Sequence, residues 1–277
     1  MNLTPMNLKR QQLRHAVRLT AMLVTTLNGC HGFGQKSAGA TNNSPTLTLT
    51  PAVVMVKAKP GQTFTQELTL WNNTIYDLAF HMEAQDVVVR DGKRVFVPAG
   101  ELPGSIARNA VFNDDDVIVP AAGSASTRVT VTVPDSPGPR AIACVFMGRT
   151  PVGMQNTLAM TASLGALVTF TINNDFHLQH EPLQISVDDD SQTITFHQMV
   201  KNIGLDPVVP AGVIAITNQH GALVARLPVS PLRLLPGESL EFTAEHPGLP
   251  KTGKYKATIL MQHENALFSN AAEFTIK

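Results

Sequence analysis

Apolar and polar residues alternate with a period of two over much of this chain, which is the mark of strands buried on one face only. Phe64, Leu68 and Leu70 share a face opposite Thr65, Glu67 and Thr69, and Val129, Val131 and Val133 oppose Arg128, Thr130 and Thr132. In the second half the same period links Ile194, Phe196 and Val200, then Tyr255, Ala257, Ile259 and Met261, and finally Phe274 and Ile276. The longest alternation runs Leu158, Met160, Ala162, Leu164, Ala166, Val168, Phe170, Ile172. At ~3.3 Å per residue it exceeds most single strands, so it predicts two strands or one strand with a bulge near Gly165. Beyond the N-terminal leader only Asn109–Asp116 reads as a brief helical turn.

The turns between these runs are explicit. Asp91-Gly92 reads as a tight hairpin between Val87–Arg90 and Arg94–Val97, and Asn218-Gln-His-Gly221 as another between Val213–Thr217 and Ala222–Leu227. Asp188–Asp190 predicts the turn between Leu183–Val187 and Gln192–Phe196. One arrangement occurs twice: an alternating strand closes on an Asn-containing turn at Asn72 and again at Asn202. A Pro/Gly turn before a further alternating strand accompanies each, at Pro120–Gly123 and at Pro236-Gly237. Short strands at regular spacing predict an all-β chain of two consecutive Ig-like β-sandwich domains behind an N-terminal signal segment. The expected boundaries are 1–40 for the signal, 46–172 for the first domain and 176–277 for the second, with Asn173-Asn-Asp175 as a short linker.

Composition agrees with this and narrows the partners. Hydrophobic residues make up 43% of the 277, enough to fill cores, and nineteen Gly and nineteen Pro supply turns. The formal charge is zero, but five bases and no acid lie in residues 1–40, so the remainder is acidic by five charges. An acidic body excludes nucleic acid as the expected partner and gives no attraction to an anionic membrane.

The basic stretch Lys9–Arg18, the apolar run Leu19–Leu27 and the small residues Ala38-Gly-Ala40 fit a secretory signal that is removed on export. Nine apolar residues are too few for a ~30 Å hydrocarbon core. Leu27-Asn-Gly-Cys30 also resembles a bacterial lipobox, which makes Cys30 a candidate lipidation site and a lipid anchor the alternative to simple secretion. No other run is apolar and long enough to span a membrane in the mature chain. Cys144, within Ala141–Phe146, reads as a small buried hydrophobe, and no disulfide framework is expected.

Candidate chemistry is sparse. Asp114–Asp116 and Asp188–Asp190 are acidic triplets without the spacing of a calcium loop, and they read as solvated loops. His177 and His180, three apart in a predicted strand, would face opposite ways and do not form a metal pair. No nucleophile elbow, phosphate loop or paired-cysteine motif occurs, so no enzyme activity, catalytic residue, metal or cofactor is expected. Trp71 is a candidate surface aromatic.

Leu49-Thr-Pro51, Lys59-Pro-Gly61, Leu68-Thr-Leu-Trp-Asn72, Val129–Pro134, Leu164-Gly-Ala-Leu-Val168, Val200-Lys-Asn-Ile-Gly204, Leu235-Pro-Gly237 and Gly253-Lys-Tyr255 together resemble the bacterial envelope family of WxL-interacting proteins (DUF916). That resemblance implies binding to peptidoglycan and to a surface protein. Those proteins usually continue into a membrane-spanning C-terminal helix, where this sequence stops on a strand at Lys277. A periplasmic or lipid-anchored form is therefore the alternative setting.

The chain also resembles, more distantly, the periplasmic pilus chaperones, which are likewise two Ig-like domains behind a signal. This resemblance makes Leu158, Met160, Ala162 and Leu164 the candidate strand-donor face. It also implies an Arg–Lys pair for a client carboxylate; Lys57 and Lys59 lie near the first strand, but no arginine occupies the expected place. The sequence expectation is thus a non-catalytic exported envelope protein that binds a secreted or surface protein or peptidoglycan. The alternative is a chaperone for pilus or surface subunits acting by strand donation.

Overall fold

The computed structural model describes residues 46–149, 162–188, 190–248 and 250–277. Alternation decides the architecture: each strand has one apolar face to bury, and stacking sheets in pairs buries it. Among the described residues the chain forms two Ig-like β-sandwiches and a single short 3-10 turn.

In the first sandwich one sheet has the order β1 (Leu47–Thr50), β3 (Thr63–Asn72), β8 (Gly123–Thr132), β6 (Ala110–Phe112). The facing sheet runs β2 (Val53–Lys57), β10 (Ser163–Thr171), β9 (Ala141–Arg149), β4 (Leu78–Arg90), β5 (Lys93–Pro98), with β7 (Asp116–Val119) paired to the start of β4. Leu68, Leu70, Val129 and Val131 point from the first sheet into the core, where they meet Ile142, Cys144, Phe146, Ala166, Val168 and Phe170. The opposite face of β3 and β8 is wet and carries hydroxyl pairs such as Thr65 with Thr130 at 3.2 Å and Thr69 with Ser126 at 2.8 Å.

The second sandwich places β13 (Thr193–Asn202) between β16 (Ser239–Pro247) on one side and β11 (Leu178–His180) with β12 (Gln184–Asp188) on the other. Its facing sheet has the order β15 (Leu223–Val229), β14 (Ala211–Asn218), β17 (Gly253–His263), β18 (Ala266–Ile276). Ile194, Phe196 and Val200 pack there against Ala257, Ile259 and Met261.

The arrangement that occurs twice in the sequence is one strand pair built twice, since β3 pairs with β8 and β13 with β16, both antiparallel. The Asp91-Gly92 hairpin is present, with both residues at positive φ, 51° and 72°. Two details differ from the sequence expectation. The helical turn falls at Ala107–Asn109, where the Asp86 carboxylate accepts the N–H of Ile106 and Ala107, while Ala110–Phe112 and Asp116–Val119 are strands. No bulge occurs near Gly165: β10 pairs with β9 in unbroken register from Ser163↔Met147 to Thr169↔Ala141. The last strand, β18, occupies a sheet end and pairs with β17 alone among the described residues.

Candidate functional site

Between Thr50 and Val53 the chain crosses from one sheet of the first sandwich to the other. β1 pairs with β3, and β2 then runs parallel to β10 along Leu167–Thr171 only. The N–H of Leu167 reaches the carbonyl of Ala52 at 2.9 Å, and that of Phe170 reaches Arg140 in the opposite direction at 2.8 Å. Odd-numbered residues of β10 therefore turn their main-chain groups toward the β2 side and even-numbered ones toward β9. Upstream of Leu167 no described strand pairs with β10 on the β2 side. Among the described residues Ser163 and Gly165 thus present N–H and C=O groups with no strand to receive them, an open edge of the kind that accepts a foreign strand.

The sheet face that flanks this edge is unusual for an outer face. Val87, Ala141, Ala143 and Val145 are buried there, with Val89, Phe96, Met147 and Leu167 packed around them, and Leu235 of the second sandwich completes the cluster. Val53 and Met55 extend the apolar surface onto β2 and are 48% and 65% exposed. The apolar floor runs from the contact between the sandwiches toward the open edge.

Three arginines fix the second sandwich against this face. Arg94 of β5 grips the Glu238 carboxylate with Nε at 2.8 Å and a second nitrogen at 3.0 Å, and also donates to the Arg233 carbonyl at 2.7 Å. Arg140 donates to Asp206 at 3.2 Å and to Asn173 at 3.0 Å. Asp206 is fully buried and further accepts the N–H groups of Ile172, Asn173 and Asp175, so one carboxylate holds the linker. Arg233 donates to Thr169 Oγ1 at 2.8 Å, and no carboxylate of the described residues lies within ion-pair distance of it. Burial, and then the neighbouring Arg94, pull its pKa down to about 10. On the far side Lys57 binds Glu264 at 2.8 Å.

Leu158 and Met160, two members of the predicted strand-donor face, lie outside the described residues, as does Cys30. Ala162 is exposed just ahead of β10, and Leu164 is half-buried against the core of its own sandwich. Trp71 is 53% exposed on the outer face of β3, in the other sheet from the open edge. His177 and His180 are not brought together: His177 pairs with Asp175 at 2.9 Å, whereas His180 stacks on Phe268 at 4.5 Å. The acidic stretches are used locally, Asp116 by His81 and Arg149, and Asp188 as the acceptor of the Asp190 and Ser191 N–H groups.

Two cavities, of about 620 and 400 Å³, lie beside Gly100–Ser105 and beneath Arg108–Phe112. Both belong to the first sandwich. Among the described residues no helix is long and apolar enough to cross a membrane, and no group of three or more His, Cys, Asp or Glu side chains is placed to hold a metal ion.

Arg94, Arg140, Asp206, Arg233 and Glu238 were missed in the sequence, although two of them carry a signal. Arg140 immediately precedes Ala141–Phe146, and Asp206 sits between Leu205 and Pro207-Val-Val. A lone charge inside an apolar run finds its partner elsewhere in the fold.

No family model matches the chain, and no curated protein matches it. Solved structures do. The class 5 fimbriae chaperone CfaA is 14% identical, with 84% of this chain and 99% of that one covered, at a TM-score of 0.38. The CsuC–CsuE chaperone–tip adhesion subunit complex of Acinetobacter baumannii gives 10% identity over 82% and 97%, at 0.40. The CupB2 chaperone of Pseudomonas aeruginosa gives 12% over 83% and 100%, at 0.38. The likeness is one of fold alone.

Proposed function

We propose that this chain is a non-catalytic binding protein that captures an extended segment of a partner protein by strand addition at the open edge of β10. The observation that carries this reading is the pair of outward-facing main-chain groups at Ser163 and Gly165, which no described strand receives. The apolar floor around Val145 and Leu167 supports it, because an added strand would lay alternate side chains over that floor. Arg233, half-buried at the same face, leaves a cation for an acidic group of the partner.

This favours the role of holding pilus or surface subunits over the wall-binding role. A main-chain ladder needs a row of peptide groups, whereas a glycan needs an aromatic platform, and Trp71 lies on the other sheet from this edge. The extracytoplasmic setting rests on the leader read in the sequence.

The test is amide hydrogen exchange of the protein with and without a synthetic peptide of about ten residues alternating Val and Thr. Binding should slow exchange at Ser163 and Gly165 by about tenfold or more. Protection confined to other elements, or none, would overturn the reading.

A further inference from the structure

Gly165 is the last residue of the open edge before β2 closes it, and the fold does not require it. Glycine in a strand interior costs stability, so it usually answers a need for positive φ, a bulge or a close neighbour. Gly165 has none of these. It is not among the residues with positive φ, and its register with Val145 is unbroken. A Cβ built there would meet only Val145 Cγ2 at 3.6 Å and the Cys144 carbonyl at 3.8 Å, ordinary contacts. By contrast, a Cβ at Gly212 in β14 would stand 2.6 Å from the Leu260 carbonyl, so packing demands glycine there.

The missing side chain falls on the functional face. Leu164, Ala166 and Val168 point into the core, and Leu167 joins the outer apolar cluster, so position 165 also belongs to the outer face. Gly165 itself is exposed, while Val145 opposite it is buried. The result is a notch beside Val145 and between Ser163 and Leu167, level with the main-chain groups that an added strand would bond.

We infer that Gly165 is a specificity-determining residue: its notch receives one large apolar side chain, Leu- or Phe-like, from the residue of the partner strand that lies against it. The inference rests on the strand-addition reading and adds to it the chemistry of the partner segment. A strand with only small residues would span the notch and leave it unfilled, and a side chain placed on residue 165 would take the partner's space.

The experiment uses the Val/Thr peptide frame in three forms, with Ala, Leu or Phe at both terminal positions, since an added strand ends against Gly165, titrated against the wild-type chain and Gly165→Val. The wild type should bind the Leu or Phe peptide about tenfold more tightly than the Ala peptide. Gly165→Val should bind all three within about twofold of one another, with a thermal midpoint no lower than that of the wild type, since valine suits a strand better than glycine. If no peptide binds the wild type, strand addition itself fails and this inference with it. If peptides bind without discrimination, or discrimination survives in Gly165→Val, the notch has no such role and the strand-addition reading stands without it.

Discussion

Asn72 and Asn202 hold the same position in the two sandwiches, each as the last residue of a ten-residue strand with its amide turned inward beneath the loop that follows. Asn72 Nδ2 donates to the carbonyls of Tyr76, Val119 and Pro120, and its Oδ1 accepts the Thr74 N–H at 2.9 Å. Asn202 Nδ2 donates to Asp206 and Leu234, and its Oδ1 accepts the Gly204 N–H at 3.0 Å. One side chain thus satisfies both the loop after the strand and the Pro/Gly turn beside it. Replacing either asparagine with alanine strands buried carbonyls, at about 2 kcal/mol each. Urea unfolding of Asn72→Ala and Asn202→Ala should show losses of that order, and near-neutral variants would mean that the loops find other partners.

Asp206 gathers Arg140 and three linker N–H groups in a site closed to water. Asp206→Ala leaves a buried guanidinium unpaired and should cost about 3–5 kcal/mol in guanidinium unfolding. The double replacement Arg140→Met with Asp206→Leu should recover part of that loss. A double variant no better than Asp206→Ala would mean that the linker N–H groups, rather than the ion pair, carry the cost.

Burial pushes the Cys144 thiol up to about 12, so the thiolate that reacts with disulfide reagents is absent near neutral pH. In a Cys30→Ser variant, Cys144 should label with Ellman's reagent only as fast as the fold opens. Rapid stoichiometric labelling of the native protein would contradict its placement in the core.

Burial also holds the pKa of His263 below the ordinary histidine value. Its Nδ1 accepts the Val209 N–H at 3.3 Å, its ring meets Phe176 edge-on at 4.9 Å, and Lys57 and Glu264 are its charged neighbours. A folded-state pKa below the unfolded one means that the unfolded chain binds the proton more readily. The stability that follows is present above the unfolded value of about 6.5 and is lost as pH falls through the folded one. Unfolding free energies measured from pH 7.5 down to 5 should fall less steeply in His263→Gln than in the wild type; identical slopes would remove His263 from the account.

Much of the fold is legible in the sequence because it is written locally. The alternation at Leu68 and Leu70, or at Val129 and Val131, depends only on neighbours two apart, and Asp91-Gly92 carries its turn in its own backbone preferences. Cys144 was legible for the same reason, sitting within a continuous apolar run. The contact between the sandwiches was not. Arg94 and Glu238 are separated by 144 residues, and Arg140 and Asp206 by 66, so no window along the chain shows them together. The open edge was half legible: the alternation that becomes β10 stood out, whereas its exposure depends on where β2 stops. In the sequence Gly165 suggests either a break between two strands or a bulge, whereas in the fold it lacks only a side chain.

The crossing at Ala52 also makes the lane beside β10 a cul-de-sac. Because Ala52 already takes the N–H of Leu167, a strand added in that lane would have to halt or turn aside at Gly165. The protein's own backbone would then be the end-stop that sets how far an incoming chain could slide. Register would be fixed by a barrier of main chain, before any side chain is compared.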